Sequence, residues 1–398
     1  MRKKQFNGKK LREALIFRAM NMTELANKTG ISKQSISLYA NNDNTPPYEN
    51  VMKIANTLSF PFDFFMTDNS FSLSTSNTYF RSQASARKKN QQAQATRLEY
   101  LARMLEVLMD YVELPKLDLP STDDFSTAVP DPQNTDAFAI ADAIDSLAKK
   151  TREYWELGAG PIDNLKYLLE YHGIFVTYVH DIDNKIDAFS QKIRLADNSS
   201  MFIIGLSADG KSKTRLNFDM AHELGHILMH NWIDSCEPLN HDEFVNLEKQ
   251  ANMFASSFLL PKESFAEDVG IFPTKIDYYI RLKEKWHTSI QAMIYRASQL
   301  KIISTNQYQY MMRTISAKGW RTVEPGDIAF ALDETIFNSI VNLLINEGGL
   351  TGEDIVNAFH NHNIYLNRNE YEDLLGLKPG TLSVQNIKNN LIELKKRL

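Results

Sequence analysis

His222-Glu223-Leu224-Gly225-His226 is the stretch on which the reading of this chain turns. Residues four apart share one face of an α-helix, so the two imidazoles can point at a single ion, with a carboxylate beside the first. Neutral imidazole is a good zinc ligand, and a neighbouring Glu can take a proton from zinc-bound water. The pattern therefore predicts a helix carrying most of a catalytic metal site. Asn217 is expected to cap that helix, with Asp219 in its first turn, where the helix dipole favours negative charge. The alternative is a buried amphipathic helix whose histidines only hydrogen-bond within a core.

Two histidines leave zinc underligated, since catalytic sites generally supply three protein ligands and keep one position open. Glu248, in Leu247-Glu248-Lys249-Gln250-Ala251-Asn252-Met253-Phe254-Ala255, is the best third ligand. The next helix is predicted over 243–260, stopped by Pro261, with Phe244, Leu247, Ala251, Phe254 and Phe258 on its apolar face. A carboxylate bordering that face needs a positive partner. Asn252, one turn on, can accept a hydrogen bond from the outer N–H of an imidazole and fix its tautomer. Glu223 is then the general base rather than a ligand. His230 lies a turn too far to share the ion and is read as a supporting or surface residue. Gly225 leaves room for a neighbouring helix or marks a weak point.

Upstream, Ile174–Val179, Ile186–Ile193 and Met201–Leu206 read as strands, so a small sheet precedes the motif. Helices are expected over 84–113, 136–156 and 162–172. Asn69–Asn77 is Ser/Thr/Asn-rich and reads as a mobile connector, and four prolines between Pro115 and Pro132 mark an extended linker or a wrap-around segment. Everything after the metal-site helices is helical by pattern. The expected division is 1–68, 69–135, 136–312 and 313–398, within the two to four domains that 398 residues suggest.

Composition agrees with a soluble protein: 43% hydrophobic and 23% charged residues, with no apolar run long enough to span a membrane. The basic start, Met1 to Phe6, has no apolar stretch after it and is not read as a secretory signal. Cys236 is the single cysteine, which excludes a disulfide framework within one chain and fits a reducing cytoplasm. Net charge is −5, unevenly placed. Residues 1–98 hold 15 Lys/Arg against 6 Asp/Glu, a net +9, which leaves −14 on the remainder. A basic head on an acidic body suggests that the head alone meets a polyanion.

The head reads as short helices. Asn21 or Thr23 caps a helix containing Leu25-Ala26, Gly30 ends it, and Ser32 caps Lys33-Gln34-Ser35-Ile36-Ser37-Leu38-Tyr39. Helix, tight turn, helix is a helix-turn-helix, whose second helix enters the major groove. Gln34 can pair with adenine and Ser35 with base or phosphate, while Lys28, Lys33, Ser37 and Asn41 or Asn42 are expected at phosphates.

Residues 8–66 resemble the phage-repressor-like (XRE-type) helix-turn-helix family. The likeness runs from Leu25-Ala26 through Gly30-Ile31-Ser32 to Ile36-Ser37, and departs at Tyr39-Ala40-Asn41-Asn42, where members often have a Glu-x-Gly step. Residues from about 136 to 312 resemble the ImmA/IrrE metallopeptidase family, on Ala221-His222-Glu223-Leu224-Gly225-His226, on Glu248 to Ala255 and on Leu259-Leu260-Pro261. Many relatives carry an additional Glu where this chain has Gln250.

The resemblance implies an α+β, mostly helical chain: an all-α DNA-binding domain, a zincin-like metallopeptidase domain with a small sheet, and a helical C-terminal region. It further implies a cytoplasmic regulator that binds a double-stranded operator and uses Zn2+ to cleave a repressor or regulatory protein, in stress responses or mobile-element control. The target would be a separate repressor or the chain itself, and by their composition alone Asn69–Asn77 and Leu114–Pro132 suit self-cleavage. The alternative is a transcription factor whose metal domain is a non-catalytic sensor or docking module. A homodimer is expected because such proteins read paired half-sites, with residues 98–112 as the candidate interface.

Overall fold

Local signals near the N-terminus act where the sequence places them. In the computed structural model, which describes residues 5–67, 75–82, 88–120, 137–179, 186–195, 197–208, 210–230, 241–327 and 334–383, α1 spans Gly8–Phe17 and α2 Met22–Thr29. Asn21 and Glu24 form a reciprocal capping box at the start of α2, so Asn21 rather than Thr23 is the cap. Gly30 ends α2 at φ +71°, the left-handed conformation that glycine adopts without steric cost. The Ser32 hydroxyl accepts from the Ser35 N–H to open α3 (Lys33–Ala40). Helix α4 (Tyr48–Leu58) and a 3-10 turn, Phe62–Met66, close this part.

Strand β1 (Thr75–Ser82) follows, then α5 (Lys88–Leu108), α6 (Ala137–Tyr154), α7 (Leu165–Tyr171), β2 (Ile174–Tyr178), β3 (Ile186–Arg194) and β4 (Ser200–Leu206). The metal-motif helix is α8 (Lys213–Met229) and its neighbour is α9 (His241–Leu259). Helices α10 (Lys262–Gly270), α11 (Ile276–Trp286), α12 (Ile290–Gln299) and α13 (Thr305–Ala317) come next, then α14 (Ile336–Asn346), α15 (Gly352–Asn361) and α16 (Arg368–Leu374). No helix among the described residues is long and apolar enough to cross a membrane.

These elements form two compact units. One gathers residues 1–72, 100–113 and 334–398, and the other 73–99 and 114–333. That grouping cuts the chain differently from boundaries at 68, 135 and 312. In the first unit, Leu11, Leu25, Ile36, Ile54, Leu58 and Phe65 are buried among α1 to α4. Tyr100 of α5 donates its hydroxyl to Glu13 and stacks edge-on against Phe17. Tyr100, Leu101, Leu105 and Leu108 are themselves buried, whereas Tyr111, at the far end of the candidate interface, is exposed. At the other sequence extreme, Arg18 donates to the Leu58 carbonyl (2.8 Å) and to Glu370 (2.6 Å), and Asn367 donates to the Ser59 carbonyl. Residues more than 300 positions apart thus complete the helix-turn-helix unit.

The second unit contains a four-stranded sheet of order β1-β3-β4-β2, antiparallel except for the β4–β2 pair. The three strands expected before the metal motif are present. β1 is the correction: Thr75–Asn77 were read as mobile connector and instead begin an edge strand on β3. An edge strand is paired on one side only and needs no apolar alternation to announce it. On β2 and β4, side chains are buried nearly throughout, so both read as apolar runs.

Helix α8 is buried from Leu216 to Met229 apart from Phe218, which explains its lack of a clear polar face. Its start corrects a second expectation. Ser212 occupies the N-cap, and Asn217 sits a turn inside, donating to the His287 carbonyl at 3.2 Å. Asp219 pairs with Lys211 at 3.0 Å rather than with the helix terminus. The first turn, Lys213-Thr214-Arg215, is polar and partly exposed, so no apolar periodicity marks it.

The proline-rich stretch begins as a packed strap. Leu117 and Leu119 lie against the core of this unit, and Asp118 accepts from the Tyr154 hydroxyl and contacts His172 Nδ1 at 2.9 Å. Residues 121–136 lie outside the described residues, as do 68–74.

Candidate metal centre

Close packing of α8 on α9 builds the site. A methyl group on Gly225 would stand 3.1 Å from Phe254 Cδ1 and 3.3 Å from Ala251 Cα, so Gly225 leaves room for the neighbouring helix, the first of its two expected roles. That approach brings the α8 imidazoles to the α9 carboxylate. His222 Nε2 lies 3.0 Å from His226 Nε2 and 3.5 Å from Glu248 Oε2, and His226 Nε2 lies 3.2 Å from Glu248 Oε1. A tetrahedral ion with ligand bonds of about 2.05 Å needs donor atoms about 3.3 Å apart. The three donors fit that triangle, and they form the one group of three or more potential metal-ligating side chains among the described residues.

The outer hydrogen bonds decide which ring nitrogens carry protons. Asn252 Oδ1 lies 3.1 Å from His222 Nδ1, so Nδ1–H donates outward and Nε2 turns a lone pair inward. His226 is set by a longer chain. Gln250 Oε1 is 2.9 Å from His230 Nε2, which must then carry the proton. Burial, and then the neighbouring His226, push the pKa of His230 down to about 3, so His230 is neutral. Its Nδ1 accepts from His226 Nδ1–H at 2.9 Å, and His226 Nε2 likewise turns a lone pair inward. Two lone pairs and a carboxylate converging within 3.5 Å repel one another unless a cation sits among them.

Glu248 completes the triangle from α9. Only about a fifth of this side chain is exposed, and His222 and His226 are fully buried. Glu223 is fully buried as well and takes no part in the donor triangle. The Ser190 hydroxyl of β3 donates to its Oε2 at 2.7 Å.

Residues 169–298 match a peptidase family described as the IrrE N-terminal-like domain, and residues 8–68 match a helix-turn-helix domain. The chain joins these two domains. No curated protein matches it. The IrrE N-terminal-like domain spans α7 to α12 and contains His222, Glu223, His226, Glu248 and Asn252.

In the helix-turn-helix domain, Lys28, Lys33 and Gln34 are exposed and Ser37 is half-exposed. The Ser35 hydroxyl is 2.9 Å from that of Ser32, inside the cap, and the exposed Asn41 accepts from Arg12 through its side-chain oxygen. Both are therefore held by the protein itself. Leu38, not among the expected DNA contacts, is also exposed on α3.

Of the two readings of His230, supporting or surface, the structure has it buried behind His226. Its partner Gln250 and the serine Ser190 were not foreseen: Gln250 stood next to the expected ligand helix face, whereas nothing local pointed to Ser190. Replacing Gln250 with Leu is expected to weaken metal binding about 10- to 100-fold, the usual cost of losing a partner behind a ligand. Gln250→Glu keeps an acceptor and is expected to stay close to the parent. Competition with a chromophoric chelator measures both.

Proposed function

We propose that this chain is a DNA-binding transcriptional regulator with a zinc-dependent endopeptidase domain that cleaves a repressor or regulatory protein, either a separate one or itself. One observation carries the reading: three donors at 3.0–3.5 Å suit a single divalent ion, while a fourth group, the buried acid Glu223 next to His222 in sequence, stands outside the ligand set. A metal sensor or a docking module would need no such fourth group.

His222, His226 and Glu248 would hold the ion, and two imidazoles with a carboxylate favour zinc among common divalent metals. Zinc supplies Lewis-acid polarisation of a carbonyl and acidifies water. Glu223 would take the proton from the attacking water and return it to the leaving amine. Ser190 orients that carboxylate, Asn252 orients His222, and His230 with Gln250 orients His226. The burial of His222, His226 and Glu223 strengthens the electrostatic part of this arrangement.

On the DNA side, α3 would lie in the major groove with Gln34 toward a base edge and Lys28 and Lys33 toward phosphates, two chains pairing on a two-fold operator. Affinity is expected to fall steeply with salt, and Lys33→Ala to reduce the log–log slope by about 1, which a titration at several salt concentrations reads directly.

The test of the whole reading is a comparison of new protein N-termini in cells making the parent chain or its Glu223→Gln form. Termini present only with the parent identify the target. Identical sets in the two strains would remove the peptidase assignment.

A further inference from the structure

Beside the metal centre lies a cavity of about 470 Å³, walled by Arg215 and Phe218 of α8, Lys249 and Asn252 of α9, Tyr295 of α12, and Arg321. Asn252 is shared: its oxygen holds His222 Nδ1, so the cavity adjoins the ligand set. Arg215, Phe218 and His222 recur at three and then four residues along one helix, which puts them on a common face. A polypeptide passing the metal therefore has this cavity within reach of a side chain next to the bond being cut.

The charges of its wall are not balanced toward the opening. Its carboxylates are already satisfied from behind. Glu324 accepts the backbone N–H groups of Ile290 and Gln291 and pairs with Lys283. Asp327 pairs with the same Lys283 at 2.6 Å, and Asp219 pairs with Lys211. All three are largely buried. The cations, in contrast, are exposed. Arg321 is held in place by three neutral acceptors, Ser316 Oγ, Gln291 Oε1 and the Met312 carbonyl. Arg215 reaches Asp187 only at 3.6 Å, and that carboxylate already holds Lys211 at 2.8 Å. Lys249 is exposed and has no carboxylate within ion-pair distance among the described residues. Phe218 and Tyr295 add apolar surface for an aliphatic stem.

We propose that this cavity is a substrate subsite that receives an acidic side chain, Asp or Glu, of the polypeptide to be cleaved. The proposal rests on the peptidase reading for its purpose but not for its test. A fixed guanidinium oriented by neutral groups is pre-organised for a carboxylate, whose two oxygens match its fork. Lys249 adds attraction without a competing acid among the described residues, Arg215 adds a charge only loosely shared with Asp187, and a basic side chain would meet three like charges.

The test uses full-length, zinc-loaded Glu223→Gln protein, immobilised and offered a mixture of random decapeptides, with retained peptides sequenced by mass spectrometry. Retained peptides are expected to be enriched at least tenfold in Asp or Glu at one position over Lys or Arg. Adding Arg321→Gln, or Lys249→Gln, is expected to reduce that enrichment to within about twofold, with zinc content and melting temperature unchanged. Retention without charge preference, a preference that survives both substitutions, or no retention at all overturns the proposal. Incubating the retained peptides with the parent protein separates the two readings. Acidic peptides that bind but stay intact keep the subsite and sink the peptidase, and cleavage blind to charge does the reverse.

Discussion

Replacing Glu223 with Gln is expected to lower peptide hydrolysis by about 10²- to 10⁴-fold, the usual contribution of a positioned general base. Zinc content and DNA affinity are expected to match the parent's. Glutamine has the shape of glutamate, and its amide oxygen can still accept from the Ser190 hydroxyl, which donates to Oε2 at 2.7 Å. What it lacks is a basic oxygen. Because Glu223 is outside the donor triangle, its loss would leave the ligands of a bound ion in place. Because the side chain is fully buried, removing its charge also relieves a desolvation cost, so thermal stability is expected to hold or rise. Metal analysis, a melting curve and turnover of an identified target measured on one preparation separate these effects. If the variant turns over like the parent, Glu223 is not the base and the proposed chemistry fails.

Replacing Glu248 with Ala is expected to strike the ion itself. Structural zinc sites with four protein ligands bind with about 10–16 kcal/mol, so one ligand is worth about 3 kcal/mol, or about a hundredfold in affinity. His222 and His226 would remain, with their lone pairs still 3.0 Å apart and the balancing carboxylate gone. The measurable consequence is linkage. A metal that binds only the folded protein raises stability by about 4 kcal/mol at a thousandfold excess over its Kd, so the parent's melting temperature should climb with zinc. The Glu248→Ala protein should respond only at concentrations about a hundredfold higher. Equal responses in the two proteins would mean that Glu248 is not a ligand. Acid should act on the parent in the same direction, because protons compete with the metal for imidazole.

Both experiments concern residues that sequence spacing singled out, and the reason is that their signals are local. A helix repeats its face every three to four residues, so His222 with His226, and Glu248 with Asn252, could be paired by counting. Caps work over the same range: Asn21 with Glu24, Ser32 with Ser35, and Gly30 in its left-handed turn were all legible. So were the buried strands β2 and β4, whose apolar runs reflect cover on both faces.

Where a partner lies far along the chain, counting has nothing to work on. Ser190 reaches Glu223 because β3 runs beneath α8, and a serine in a strand carries no mark of that. The start of α8 was misplaced to Asn217 because three polar residues precede its buried portion. The edge strand β1 was taken for connector because an unpaired rim imposes no pattern. Hydrophobic periodicity and capping chemistry are properties of neighbours in sequence, and they determined most of the helices, the strands β2 to β4 and the candidate ligands. Tertiary packing alone decided that residues 334–383 complete the helix-turn-helix unit through Arg18–Glu370, and that His230 and Gln250 stand behind His226. Such contacts exist only once the chain has closed on itself, and no single residue needs to announce them beforehand.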